Sequence, residues 1–324
     1  MSSALPPRYA SFAKFAWGVL AYNFLVVVWG AYVRASGSGA GCGRHWPKCD
    51  GEVLPMPKST EMFVEFAHRA TSGIALILVL AMVVMAFLRF PKGSPVRRFA
   101  VASTLFMFSE ALLGAALVLF ELVAHDASMK RALSMCLHLV NTFFLLASIA
   151  ATAFAATTGT NPRLRSLGSQ ARAAGLAILA ILPVGMSGGV AALGDTLFPS
   201  KSLQEGVEQD LSGTGHIFIQ LRLFHPLIAI VVAVVLALYA SGVAKRHPKD
   251  RWVTRTSNAV SLVVLLQVCL GVLNLVLLAP VPTQLLHLLG ADSLFVSVSL
   301  LILSLSVAER AKAPSADLAE PVAS

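Results

Sequence analysis

Apolar runs of about 20 residues recur along this chain, and a run that long with almost no charge crosses the hydrocarbon core of a bilayer as a helix. Bounded by charge clusters or by Gly and Pro, these runs predict eight spans, at 14–33, 62–88, 99–122, 132–158, 173–193, 219–242, 256–279 and 284–307. Composition points the same way: 56% of the 324 residues are hydrophobic, 13% are charged and mean hydropathy is +0.76, whereas a soluble domain carries about a quarter charged residues. The predicted fold class is an all-α polytopic membrane protein. Disorder, collagen-like repeats and a disulfide-stapled miniprotein are excluded, four cysteines being too few for a disulfide framework. The first span is followed directly by Arg34 and then by further spans, so it reads as retained in the membrane and not as a cleaved signal peptide. The termini 1–13 and 308–324 read as short solvated tails, and no soluble catalytic module is predicted.

The net charge of +9 does not imply nucleic acid, because no basic patch interleaved with aromatics accompanies it. It follows the loops instead. The connections 89–98 (Arg89, Lys92, Arg97, Arg98), 159–172 (Arg163, Arg165, Arg172) and 243–255 (Lys245, Arg246, Lys249, Arg251, Arg255) hold twelve basic residues. The alternate loops hold seven: Arg34, Arg44, Lys48, Lys58, Lys130, Arg131 and Lys201. Basic residues collect on the cytoplasmic side, which predicts both termini inside and a multi-pass location in the inner (plasma) membrane.

An internal repeat organises the spans. An offset of 157 residues carries His68 onto His225 and Glu110-x-x-Leu113-Gly114 onto Gln267-x-x-Leu270-Gly271, while an offset of 149 carries His138 onto His287. Two pseudo-symmetric four-helix bundles follow, 1–158 and 159–324, related as parallel repeats because each holds an even number of spans. Every even-numbered span has its histidine three to six residues past its outer end, roughly 5–9 Å deep at a rise of 1.5 Å per residue. Four imidazoles near one depth suit a metal. Zinc or copper normally gathers a third or fourth ligand, whereas two histidines facing each other across a bundle suit the two axial positions of a haem. The reading is one bis-histidine pocket per half, with haem toward the outer face: His68 with His138, and His225 with His287. His45, His125 and His247 read as solvated loop residues, and His216 as a residue that could touch a haem edge.

The halves differ around these histidines. Glu65 lies three residues before His68 on one helical face, which points its carboxyl toward the first pocket, and its counterpart by the same offset is Arg222. A carboxyl there suits proton transfer; the alternative is an ion-pair partner for Arg69 or Arg34. The longest outer loop carries Cys42 and Cys49, seven apart, whose spacing allows a disulfide and leaves structural and redox roles equally open. Cys136 and Cys269 read as packed residues. The glycines of that loop are not a phosphate loop, since no Gly-Lys-Ser/Thr follows.

Gly30-Ala-Tyr-Val-Arg34-x-x-Gly37-Ser-Gly39, Cys42, Trp46-Pro47, Cys49, Glu65-x-x-His68-Arg69 and the three later histidines together resemble the haem A synthase family over roughly 14–307. The resemblance implies oxidation of the C8 methyl group of haem O to the formyl group of haem A. It implies that His68 and His138 line the substrate haem O pocket with Glu65 as acid/base or oxidation-assisting group. His225 and His287 then ligate a resident haem b that relays electrons, the protein supplying orientation and proton traffic. Cys42 and Cys49 take the family's outer-loop disulfide, with a part in haem delivery or electron transfer. The implied partners are the lipid bilayer, haem O synthase and an unidentified electron acceptor, with a homo-oligomer left open. Two departures stand out: Pro226 follows His225 directly, which bears on the geometry of the second pocket because proline removes a helical hydrogen bond, and the loop 194–218 lacks a second cysteine pair. The residues alone leave two other readings open: a dihaem electron-transfer protein without substrate chemistry, and a haem transporter or chaperone.

Overall fold

A computed structural model describes residues 7–211 and 215–312. Ten α-helices are present among the described residues: α1 (Pro7–Ala35), α2 (Thr60–Arg89), α3 (Pro95–Leu119), α4 (Met129–Thr158), α5 (Ala171–Leu197), α6 (Leu203–Leu211), α7 (Ile217–Arg222), α8 (Phe224–Arg246), α9 (Arg251–Val276) and α10 (Val281–Lys312). With α7 and α8 taken as one broken span, Ile217–Arg246, eight segments are long and apolar enough to cross a membrane, and no strand occurs among the described residues.

The helices begin earlier than the apolar runs because capping side chains, not hydrophobicity, set their starts. Ser59 accepts from Met62 N at 3.2 Å, Ser94 from Val96 N at 3.2 Å, Ser128 from Arg131 N at 3.2 Å, and Asp250 from the amides of Trp252 and Val253 at 2.9 Å. α3 and α9 end sooner than predicted, and both end in the same way. Glu121 (φ 56°) and Leu278 (φ 61°) turn left-handed, and Leu122 N closes on Leu117 O at 2.8 Å just as Ala279 N closes on Asn274 O at 2.7 Å. The predicted tails are also partly helical: α1 begins at Pro7 and buries Phe12, and α10 runs to Lys312, where Arg310 reaches Asn161 O. The remainder of both tails, 1–6 and 313–324, lies outside the described residues. α6 inside the loop 194–218 lies outside the eight apolar runs: it is a short amphipathic helix whose Leu203, Val207 and Leu211 recur every fourth residue among polar ones.

α4 and α10 are the inner helices. Their most apolar windows are 72% and 50% buried, against 11–28% for the other six spans, which turn Ile, Leu and Val outward as lipid-facing surfaces do. The two pack along each other through Phe143 and Phe295, stacked with centroids 4.9 Å apart, with Phe144 edge-on to Phe295. α1 and α3 pack on α4 with α2 lying against α1 and α3, and α5 and α9 pack on α10 with α8 lying against α5 and α9.

Candidate functional site

The four histidines stand six to nine residues past the starts of their spans at Thr60, Met129, Ile217 and Val281, two or three residues deeper than the apolar boundaries implied. Each faces a glycine of a neighbouring helix. A Cβ added to Gly30 of α1 would come within 2.8 Å of His68 Cε1, and one on Gly188 of α5 within 2.9 Å of His225 Cε1. Gly114 of α3 lies under His138 and Gly271 of α9 under His287, with corresponding distances of 3.8 and 3.4 Å. The glycines thus clear space for imidazole rings that point inward between helices. His225 and His287 face each other with ring centroids 6.2 Å apart and planes at 83°.

The polar surroundings of the rings are sparse. Nδ1 of His68, His138 and His287 has no hydrogen-bond partner despite its burial. Ser187 Oγ lies 3.1 Å from His225 Nδ1, and Glu110 Oε2 lies 3.6 Å from His138 Nδ1 while Glu110 also receives Asn141 at 2.6 Å and Thr142 at 2.5 Å. Pro226 disturbs nothing. It lies in the first turn of α8, where no intrahelical N–H bond exists to lose, and the break between α7 and α8 falls at Leu223 just before His225.

Glu65 is buried at 3% exposure, and both its oxygens have donors. Oε2 accepts from Cys42 N at 2.8 Å, and Oε1 pairs with Arg69, whose other terminal nitrogen donates to the carbonyls of His45 and Lys48. The ion pair with Arg69 therefore coexists with a clamp on the outer loop. That loop closes through the Cys42–Cys49 disulfide, whose two residues are each 1% exposed and pack on Met62 and Phe66. Gly41 lets the loop lie against α2, since a Cβ there would meet the Glu61 carbonyl carbon at 2.5 Å.

The other sequence candidates sort differently. Arg34 leaves the end of α1 and crosses to Ala192 O and Thr196 of α5 and Gln284 of α10, at 2.8–2.9 Å. Arg222, the counterpart of Glu65, pairs with Asp195 and Asp210. His216 caps α7 and stacks on Phe198. His247 is not solvated: only 4% exposed, it sits 2.9 Å from Glu309 and 3.2 Å from Lys312 Nζ, and burial together with that lysine pushes its pKa down. Cys136 is buried and Cys269 exposed on the outside of α9. Asp292, fully buried in α10 with no donor to either oxygen, was not singled out by the sequence because nothing in its neighbourhood of the chain marks it.

Comparison with known proteins adds relatives on both scales. The family profile COX15-CtaA, described as a cytochrome oxidase assembly protein, matches residues 13–299. Two proteins named protoheme IX farnesyltransferase, from two strains of Thermus thermophilus, are 46% identical over 291 and 287 residues. The alignments cover 89% and 88% of this chain but 47% of each relative, so the chain spans about half their length. A heme A synthase of Bacillus cereus is 38% identical over 96 residues, 30% of this chain and 31% of that protein.

Proposed function

This chain belongs to the COX15-CtaA family of cytochrome oxidase assembly proteins, the haem A synthase family, and from that premise we propose that it is a membrane oxidoreductase of haem A biosynthesis that converts the C8 methyl group of haem O to a formyl group. The observation that carries the reading is the four inward histidines, each against a glycine and three with an orphaned Nδ1. Their donor chemistry fits haem iron. Neutral imidazole is an established ligand of haem iron, and His225 with His287, whose ring centroids lie 6.2 Å apart, would hold it between them. Ser187, 3.1 Å from His225 Nδ1, would orient such a ligand, whereas Glu110 at 3.6 Å from His138 Nδ1 is too far to hydrogen-bond it.

In this assignment His68 and His138 hold the substrate haem O, and His225 and His287 hold a resident haem b, whose chemistry when bound is one-electron transfer. The 157-residue offset that relates His68 to His225 also relates Gly114 to Gly271 and the left-handed ends of α3 and α9. This supports two pseudo-symmetric halves, 1–158 and 159–324, with the histidine layer toward the outer face of the plasma membrane. Glu65, one turn from His68, holds or moves a proton at the substrate and fixes the disulfide loop through the Cys42 amide. The buried disulfide then acts first as a lid that excludes water from the pocket mouth. Haem O synthase and an electron acceptor remain the partners of this reading.

The farnesyltransferase name belongs to proteins twice as long as the alignment. The test is product analysis: expressed in a membrane that makes haem O, the chain yields haem A or its hydroxymethyl precursor in extracted haems analysed by chromatography and mass spectrometry. Haem b in both pockets with haem O untouched identifies an electron-transfer protein instead.

A further inference from the structure

The arginines at the outer end of the helices differ in what their guanidinium groups still have to offer. Arg69 gives its terminal nitrogens to Glu65 and to two carbonyls, Arg34 gives both of its own to Ala192, Thr196 and Gln284, and Arg222 divides its nitrogens between Asp195 and Asp210. Arg131, at the start of α4, is different. It is 2% exposed, and its Nη1 donates to the carbonyl oxygens of Ala124 and Asp126, both at 2.7 Å. Its Nε has no partner, and Nη2 makes no hydrogen bond among the described residues. The open edge, Nε with Nη2, is the fork that binds a carboxylate through two parallel hydrogen bonds. The acid closest in sequence does not fill it: both carboxylate oxygens of Asp126 are taken by Ser128. A buried cation with its bidentate edge unmet is costly unless an anion completes it.

Position says which anion. Arg131 precedes His138 by seven residues on one helix, which is two turns, about 10.5 Å along the axis and nearly the same face. We propose that Arg131 is the carboxylate receptor of the first pocket: its Nε–Nη2 edge takes a propionate of the porphyrin held at His138. A porphyrin tethered at iron alone can rotate in its plane, whereas one also held by a propionate presents a fixed edge, so Arg131 decides which ring methyl faces the reacting position. This inference rests on the reading of the first pocket as a haem site.

The test uses the full chain carrying His287→Ala, so that the first pocket alone reports, titrated with protohaem IX and with its dimethyl ester and followed by the haem absorption spectrum. The chain binds protohaem at least about tenfold tighter than the ester, as a charge-assisted bidentate pair requires. Adding Arg131→Gln removes that preference by weakening protohaem alone, and unchanged ester binding certifies an intact pocket; Arg131→Lys restores part of it. Equal weakening of both ligands by Arg131→Gln, or no effect on either, overturns the assignment. The haem reading itself fails differently: adding His138→Ala then leaves the spectrum unaltered, and the proposal falls with it.

Discussion

Glu65 combines two tasks on one carboxyl, and the two can be pulled apart. Its Oε2 holds the Cys42 amide at 2.8 Å and its Oε1 holds Arg69, while its place on α2 is one turn from His68. Glu65→Ala removes both tasks; Glu65→Gln keeps an acceptor for the Cys42 amide and removes only the charge. Both variants are expected to retain haem b in the second pocket, read from its spectrum, and to lose formyl formation by about a hundredfold or more, the usual worth of a positioned acid/base. A Glu65→Gln protein that still makes haem A restricts the residue to clamping the loop. The histidines and Glu65 were legible in the chain because a repeat made them stand out twice or, for Glu65, once against a mismatched counterpart. Arg131, Asp292 and the buried state of His247 were not legible: what distinguishes each is the presence or absence of a partner, and such partners come from other turns, loops and helices.

At the scale of the helix, the even spacing of apolar runs located all eight spans, but their ends obey different physics. Capping by Ser59, Ser94, Ser128 and Asp250 starts helices before hydrophobicity rises, and the left-handed turns at Glu121 and Leu278 stop α3 and α9 while the sequence is still apolar. The short helix α6 is too short and too polar for a membrane run, and only the four-residue spacing of Leu203, Val207 and Leu211 marks it. Gly114 and Gly271 were visible as letters of the repeat and Gly30 as a letter of the motif, whereas Gly188 was not, and the work of all four is a matter of helix-to-helix distance. Gly188→Ala tests it. A methyl 2.9 Å from His225 Cε1 forces the ring or α5 to shift, so the purified protein is expected to carry at least severalfold less haem b per chain, read by pyridine haemochrome. Gly18→Ala, with nothing within 4 Å of its added Cβ, is the control: it keeps full haem occupancy and gains up to about 1 kcal/mol of helix preference.

For the whole molecule, the question is what keeps the helices around α4 in register with those around α10 when lipid competes for every apolar face. Water drives no association within a bilayer, so the join depends on packing and on polar ties. The packing is the α4–α10 seam, where Phe143 stacks on Phe295 and Phe144 meets it edge-on; the tie is Arg34, which carries α1 to α5 and α10. Both inner helices also carry a histidine, His138 and His287, so in the proposed haem assignment the same seam would fix one ligand of each pocket. Phe295→Ala therefore acts on both pockets at once. A buried Phe→Ala costs roughly 3–5 kcal/mol in a water-soluble core, and with the transfer share absent in lipid, lost dispersion and the cavity leave on the order of 1–3 kcal/mol. Melting the variant in detergent while following both haem signatures is expected to show a lowered midpoint at which both pockets empty in one transition. Two separate transitions, with only the second pocket shifted, indicate instead that the bundles unfold independently and that the seam serves α10 alone.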